Sequence, residues 1–366
     1  MISQRVKNIK ESGIRKVFEL SANNKGDLID FSIGQPHFNT PERLKKAIGE
    51  SVFNDFNKYA PTKGFLNLRK KISVKLKKEN NILAKPENII VTLGVSGGIF
   101  LAIATLFNRG DEVILPDPYF VLYDQLFRFF GVKVVYWSTY PDFHLKNDKL
   151  EKLITSKTKA VIINSPNNPT GAVYEEDEIR ELVKIAKKNE LFIISDEVYE
   201  KFDYDKKFFS PGGIYNKTIT LNGFSKSHLI TGWRVGYVHA ENKIISAMNK
   251  LQQYTFVCAP SPAQMAIKNE WNLDLSSYVG EYKINRDYLV ENLNPSLKLN
   301  IPEGAYYAFI KKPRNHYDFI KKLIKNNVLV VPGEVFSRKK DYFRLSFAVD
   351  LATLKKGIKI INKISK

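Results

Sequence analysis

Cysteine is almost missing from this chain: Cys258 is the single one among 366 residues. A lone thiol excludes a disulfide within the chain and argues against an oxidising compartment. The opening stretch MISQRVKNIKESGIRKVFEL is charged throughout and lacks the apolar core of a signal peptide, so a cytoplasmic location is expected. No metal site is expected either. Uncharged runs are scarce, and the exception, Ile89–Phe107, approaches membrane-spanning length. It carries TLGVSGG near its start, which reads as a strand, a glycine turn and a buried helix within an ordinary α/β pattern. No membrane association is expected.

Acidic residues are also short in number, 38 against 57 lysines and arginines, for a formal net charge of +19. Such an excess raises nucleic acid as a partner. The lysines, however, are scattered as pairs along helix-like segments such as LRKKISVKLKKEN and are not gathered with aromatics into a binding motif. The expectation is a solvated basic surface that favours anionic small molecules, with no nucleic-acid partner.

Internal repeats, low-complexity segments and linkers rich in Pro, Gly or Ser are absent as well. What remains is an alternation of β-branched runs (NIIVTLG, DEVILPD, VKVVYWST, AVIINSP, LFIISDEV, TITLNGF, RVGYVHA) with amphipathic stretches such as EEDEIRELVKIAKKNE. That alternation predicts an α/β fold, a mostly parallel sheet with helices on both faces. After about residue 260 the pattern changes to a long helical stretch followed by GAYYAFI, VLVVPG and YFRLSFAV, which reads as a smaller α/β domain joined by the first thirty or so residues.

Polar or aromatic residues follow the apolar runs: Ser96, Phe120, Asn168, Asp196 and Lys226. In open α/β sheets a ligand lies outside the carboxyl ends of the strands, so these positions converge on one site. Lys226, in NGFSKSHLITGWRVGY, can form an imine with an aldehyde only as a free amine. Its ordinary pKa of about 10.4 must then be lowered, by burial or by a neighbouring cation such as Arg234. Asp196 ends LFIISDEVY; a buried carboxylate there caps a following helix or faces a cationic partner. If the aldehyde belongs to a pyridine cofactor, that partner is the ring nitrogen and the ring becomes an electron sink.

Tyr199 and Asn168, the latter in the rigid turn NSPNNPTG, are candidates to hydrogen-bond the phenolic oxygen of such a cofactor. TLGVSGG (Gly94, Val95 and Ser96 at its centre) is a phosphate cradle of backbone N–H groups at a helix start, to which Ser225 and Arg234 add ligands. Phe120 is placed to stack on an aromatic ring, with Tyr119 as its rival. Arg344 shares an alternating strand face with Ser346 and suits bidentate recognition of a carboxylate.

These segments, together with SGIRKVFELS, DFSIGQPHFNTP, YAPTKGFLNLRKKI and VVPGEVF, make the chain resemble, nearly end to end, the class I aminotransferases of fold type I, in their aspartate/aromatic branch. The lysine motif with TGWRVG is highly specific and the glycine turn is not. The resemblance implies a large domain (33–262) with a mostly parallel seven-stranded sheet. It also implies a small α/β domain (263–366) on which an N-terminal segment (1–32) packs. It implies pyridoxal 5'-phosphate as cofactor, held through its aldehyde by Lys226, which then moves the proton at the substrate Cα. Asp196 would face the pyridine nitrogen, Asn168 and Tyr199 the phenolic oxygen, and Gly94, Val95, Ser96, Ser225 and Arg234 the phosphate. Tyr59 would reach the phosphate of a partner subunit, making a homodimer with shared sites, and Gly34, Asn168 and Arg344 would bind the substrate, Gly34 and Arg344 at its carboxylate.

Two departures bear on the substrate. Ser96 stands where some aspartate-specific members have a lysine, and Tyr254 lies near the place of another member's arginine, in QQYTFVCAPSP. Arg15 and Lys16 are the candidate replacements for recognising a distal carboxylate. The expected reaction moves an amino group from aspartate or an aromatic amino acid to 2-oxoglutarate in ping-pong order. A cysteine-conjugate β-lyase and an alanine or branched-chain aminotransferase stay open on the same scaffold. A cofactor-sensing DNA-binding regulator would need an added helix-turn-helix domain, for which there is no room before Asp30.

Overall fold

The computed structural model describes residues 2–11, 13, 17, 27–205, 208–313 and 318–366. Strand β1 is Ile29–Asp30, and the large sheet is then built from β2 (Ile89–Leu93), β3 (Glu112–Asp117), β4 (Lys133–Ser138), β5 (Thr158–Asn164), β6 (Phe192–Asp196), β7 (Thr218–Gly223) and β8 (Val235–His239). Its order is β2-β8-β7-β6-β5-β3-β4, and only β8 runs antiparallel to its neighbours.

Successive residues of the central strands serve opposite faces, as a period of two requires. Ala160 and Ile162 join the core beneath the helices Gly94–Leu106, Val121–Phe130 and Asn242–Thr255, while Val161 and Ile163 join the core beneath Glu176–Lys188. The uncharged run Ile89–Phe107 is β2 followed directly by the helix Gly94–Leu106. Ile99, Leu101 and Ile103 of that helix are fully buried, each contributing roughly 1.5–3 kcal/mol by leaving water. No described helix is long and apolar enough to cross a membrane.

The register aligns the carboxyl ends. Asn164 of β5 pairs with Asp196 of β6, Asp196 with Leu221 of β7, and Gly223 with Gly236 of β8. The short helix Phe224–Ser227, which carries Lys226, begins where β7 stops. One edge of the sheet thus presents Asp196 and Lys226 side by side.

A second core gathers on β9 (Tyr307–Lys311), β10 (Val328–Leu329), β11 (Val331–Pro332) and β12 (Tyr342–Ser346), with order β11-β12-β9, and on the helices Ser276–Asn292 and Leu351–Ile364. The early chain completes it. β1 pairs parallel with β10, the Ser346 N–H donates to the Phe31 carbonyl, and Ile29 and Phe31 share an apolar cluster with Leu354 and Ile358. The helix Ser261–Asn269 packs instead with Leu44, Leu68 and Ile72 through Ala263 and Ile267, and Trp271 and Leu273 follow it there. We therefore propose that the passage to the smaller domain follows Leu273 and not residue 262.

Candidate active site

The ends of β5, β6 and β7 open into a cavity of about 250 Å³ that reaches across to β9 and β12. Of the residues singled out in the sequence, Gly34, Val95, Ser96, Phe120, Asn168, Asp196, Tyr199, Ser225, Lys226, Arg234 and Arg344 all line it. Between the two stacking rivals, Phe120 lines the cavity, whereas Tyr119 is buried against Tyr136. Tyr59 is not on its own chain's cavity: it is 85% exposed at the surface, as is Tyr254. Arg15 and Lys16 lie outside the described residues.

Lys226 is partly buried, with its Nζ 2.5 Å from the Gly34 carbonyl oxygen, to which it donates. Burial, then the Arg234 and Arg344 guanidinium groups, push its ammonium down to a pKa of about 7; the Asp196 carboxylate opposes them. The amine is therefore available as a free base near neutral pH. Asp196, 3% exposed, shows the converse. Burial raises it to about 6, although its Oδ2 accepts from the Tyr123 hydroxyl at 2.6 Å and its Oδ1 from the Val198 N–H at 3.2 Å. No helix follows for it to cap; residues 198–201 form a turn that brings Tyr199 back over the site.

Gly94 adopts φ +66°, and a Cβ there would stand 2.6 Å from Arg234 Nη2. The glycine serves two needs at once: a left-handed backbone and room for the guanidinium. Arg234 is itself left-handed (φ 56°) and its Nη1 donates to the Thr231 carbonyl at 2.9 Å. No described side chain caps the helix starting at Gly94, so its first-turn N–H groups lack a side-chain acceptor, and with Arg234 alongside the arrangement suits an anion.

Asn168 is held by its N–H, which donates to Asn164 Oδ1 at 2.8 Å, while Asn164 Nδ2 donates to the Asp196 carbonyl at 3.0 Å. Asn168 Oδ1 accepts from Arg344 Nη1 at 3.0 Å. Arg344, 1% exposed on the middle strand β12, also donates from Nη2 to the Ser32 carbonyl at 2.5 Å. A buried guanidinium so held presents a fixed fork to a carboxylate.

Three further wall residues bear on these groups. Tyr123 bonds Asp196, Tyr307 bonds the Tyr199 hydroxyl at 2.7 Å, and Val198 lines the cavity beside them. Tyr123 follows Phe120 by three, one helical turn on, and Tyr307 is the second tyrosine of GAYYAF; those spacings are the only sequence signals for them. Among the described residues no cluster could hold a metal ion.

The family model for aminotransferases of class I and II matches residues 26–361. The chain is 39% identical over 376 residues to a protein of Methanocaldococcus jannaschii named "Probable aspartate aminotransferase", covering all of both. It is 35% identical to the aromatic-amino-acid aminotransferase 2 of Thermococcus litoralis, over 100% of this chain and 98% of that one. The solved structure of the Thermus thermophilus aspartate aminotransferase with maleate superposes with a TM-score of 0.94 at 32% identity, covering 100% of this chain and 99% of that one. The chain thus belongs to the class I and II aminotransferases, a family that works with pyridoxal phosphate, and is an aminotransferase.

Proposed function

We propose that this aminotransferase binds pyridoxal 5'-phosphate in the cavity described above and moves an amino group from aspartate or an aromatic amino acid to 2-oxoglutarate in ping-pong order. The observation that carries the reading is the amine of Lys226, lowered to about 7 and sharing one cavity with Asp196 and Arg344. The donor set fits the cofactor: a glycine cradle that a Cβ would fill, an uncapped helix start beside Arg234, and a buried carboxylate that among the described residues is bonded to Tyr123 and Val198 and to no cation. When bound, the cofactor supplies an aldehyde and a protonated ring that draws electrons from the substrate Cα.

The protein's residues divide the remaining work. Lys226 would hold the aldehyde and afterwards carry the proton from the substrate Cα to the carbon that had been the cofactor's aldehyde, the shift that leaves the amino group behind. Asp196 keeps the ring nitrogen protonated, and Tyr199 and Asn168 bond the phenolic oxygen. Gly94, Val95, Ser96, Ser225 and Arg234 bind the phosphate, and Phe120 stacks on the ring. Arg344 takes the α-carboxylate against the Gly34 backbone, which orients the Cα–H bond towards Lys226. Tyr59, exposed on its own chain, reaches the phosphate of a second copy, so the working unit is a homodimer with shared sites.

Borohydride treatment of the yellow protein, followed by peptide mass spectrometry, tests the site: the reduced adduct is expected on Lys226, and an adduct on another lysine removes the assignment. A panel of amino acids against 2-oxoglutarate tests the substrate. Release of ammonia and pyruvate from a cysteine conjugate without any oxo acid would replace transfer by β-elimination.

A further inference from the structure

Tyr307 plays no part in the chemistry proposed for the site, yet it touches residues from both of its halves. It is fully buried in β9, on the cavity wall. Its hydroxyl lies 2.7 Å from the Tyr199 hydroxyl. Its ring carries the Arg344 guanidinium carbon 4.6 Å from the ring centroid, and that carbon also lies 4.6 Å from the centroid of the Phe336 ring. The sheet register explains the contact: Ser346 pairs with Tyr307 and Arg344 with Phe309, so Tyr307 and Arg344 are diagonal neighbours on one face.

A phenol has one proton to give and lone pairs to accept with. If Tyr199 gives its proton to an acceptor in the cavity, the bond between the two hydroxyls must run from Tyr307 to Tyr199. Donors in series polarise one another, so the second phenol strengthens what the first can offer. On the other side, the Arg344 fork is fixed at its edges by Asn168 and Ser32, but its Nε has no hydrogen-bond partner among the described residues. Rotation out of plane is resisted by the rings of Tyr307 and Phe336 stacked against it.

Resting on the cofactor reading above, we infer that Tyr307 is a positioning residue with two separable parts. Its hydroxyl sets Tyr199 as a donor to the cofactor's phenolic oxygen, and its ring holds the Arg344 plane for the substrate carboxylate.

The holoenzyme separates the two. Tyr307→Phe keeps the ring and loses the hydroxyl. A weaker donor at the phenolic oxygen leaves more negative charge there, which keeps the chromophore protonated to higher pH. The pH of its colour change is expected to rise by roughly half a unit, in the direction of Tyr199→Phe but less, with the KM for amino acids within about twofold of the parent. Tyr307→Leu removes the ring too, and the KM for aspartate and phenylalanine should rise together by roughly 3–30-fold. The Phe variant restores that KM, a split that general loosening would not give. An unmoved colour change in Tyr307→Phe, or parental KM values in Tyr307→Leu, overturns the inference. If the Leu variant fails to fold, the Phe variant decides the hydroxyl's part and Tyr307→Met, which fills the space without a ring, decides the ring's by the same rise in KM. A parent protein that takes up no chromophore overturns the cofactor reading itself, and this inference with it.

Discussion

The Tyr123 hydroxyl donates a 2.6 Å hydrogen bond to Asp196 Oδ2, joining a helix on one face of the sheet to the carboxylate at its edge. Both partners are buried, and the bond favours the charged form of Asp196 against the burial that opposes it. Tyr123→Phe leaves the shape and removes that donor. The expected result is a fall in kcat of roughly tenfold with little change in KM, since the carboxylate matters most as charge develops at the substrate Cα. Parental kcat in the Phe variant would show that the Val198 N–H suffices.

Asp196 also makes the cofactor-free fold pH-dependent. Its folded pKa, about 6, stands above the ordinary carboxylate value, so the folded chain binds this proton more tightly than the unfolded one does. Asp196 must then contribute a loss of stability as pH rises from about 4 to about 6, a contribution that Asp196→Asn lacks. Denaturant titrations of both cofactor-free proteins at pH 4 and pH 7 should show the difference moving in favour of Asn by about 2–3 kcal/mol. No change between the two pH values would mean that water or relaxation charges Asp196 without cost.

Lys226 offers the opposite titration. Amine acylation of the cofactor-free protein, read by peptide mass spectrometry, should modify Lys226 with a midpoint near pH 7, while exposed lysines react increasingly up to far higher pH. Arg234→Ala removes a neighbouring cation, so the ammonium becomes more stable and the midpoint must rise. A Lys226 profile that coincides with the bulk lysines would remove its claim to be a free base.

How far the sequence alone reaches is seen by setting Asp196 and Lys226 beside Tyr123 and Tyr307. The first two stand directly after β-branched runs, where period and composition mark a strand end, and a parallel sheet brings such ends together. Tyr123 lies within YFVLYDQLFRFF, where any aromatic at helical spacing reads as core, and most of them are. Its hydroxyl acquires meaning only because β3 neighbours β5, and β5 neighbours β6, in space. Tyr306 and Tyr307 are adjacent and both fully buried; the choice between them needs the register with β12, a long-range fact. The helical pattern of Ser261–Asn269 follows the last strand of the large sheet and so reads as the start of the smaller domain. Apolar periodicity, however, does not say which core an element joins.

Gly94 gives a test of the phosphate cradle. Its positive φ costs Ala about 1 kcal/mol, a modest loss for the fold. The Cβ, however, meets the far end of a flexible side chain, Arg234 Nη2, and would move it away from the proposed phosphate site. Gly94→Ala should therefore weaken cofactor retention, measured by dialysis and absorbance, by tenfold or more, roughly the cost of one charge-assisted contact. The melting temperature of the cofactor-free protein should move by only a few degrees. Equal losses in both would mean that the glycine serves the backbone alone.

The last prediction concerns the side chain of the amino acid. Among the described residues, the cations lining the cavity are Lys226, Arg234 and Arg344. Each is already engaged in the proposed chemistry, Lys226 as the amine, Arg234 at the phosphate and Arg344 at the α-carboxylate. Arg344→Ala should therefore impair all donors alike, by roughly 2–5 kcal/mol in binding. A dicarboxylate needs one charge more. Ser96 and the exposed Tyr254 do not supply it, which leaves Arg15 and Lys16 of the N-terminal segment as the candidates. Ile99, Phe120 and Leu122 give the cavity apolar walls, which suit an aromatic substrate without any further cation. If one of the two N-terminal cations meets the distal carboxylate, Arg15→Ala or Lys16→Ala should raise the KM for aspartate and 2-oxoglutarate by roughly tenfold. The same substitution should leave the KM for phenylalanine or tyrosine unchanged. Parental values for both substrate types in both variants would place the distal cation elsewhere, with a partner subunit the next source to test. Activity confined to alanine or branched-chain donors would remove the aspartate/aromatic assignment and leave the aminotransferase intact.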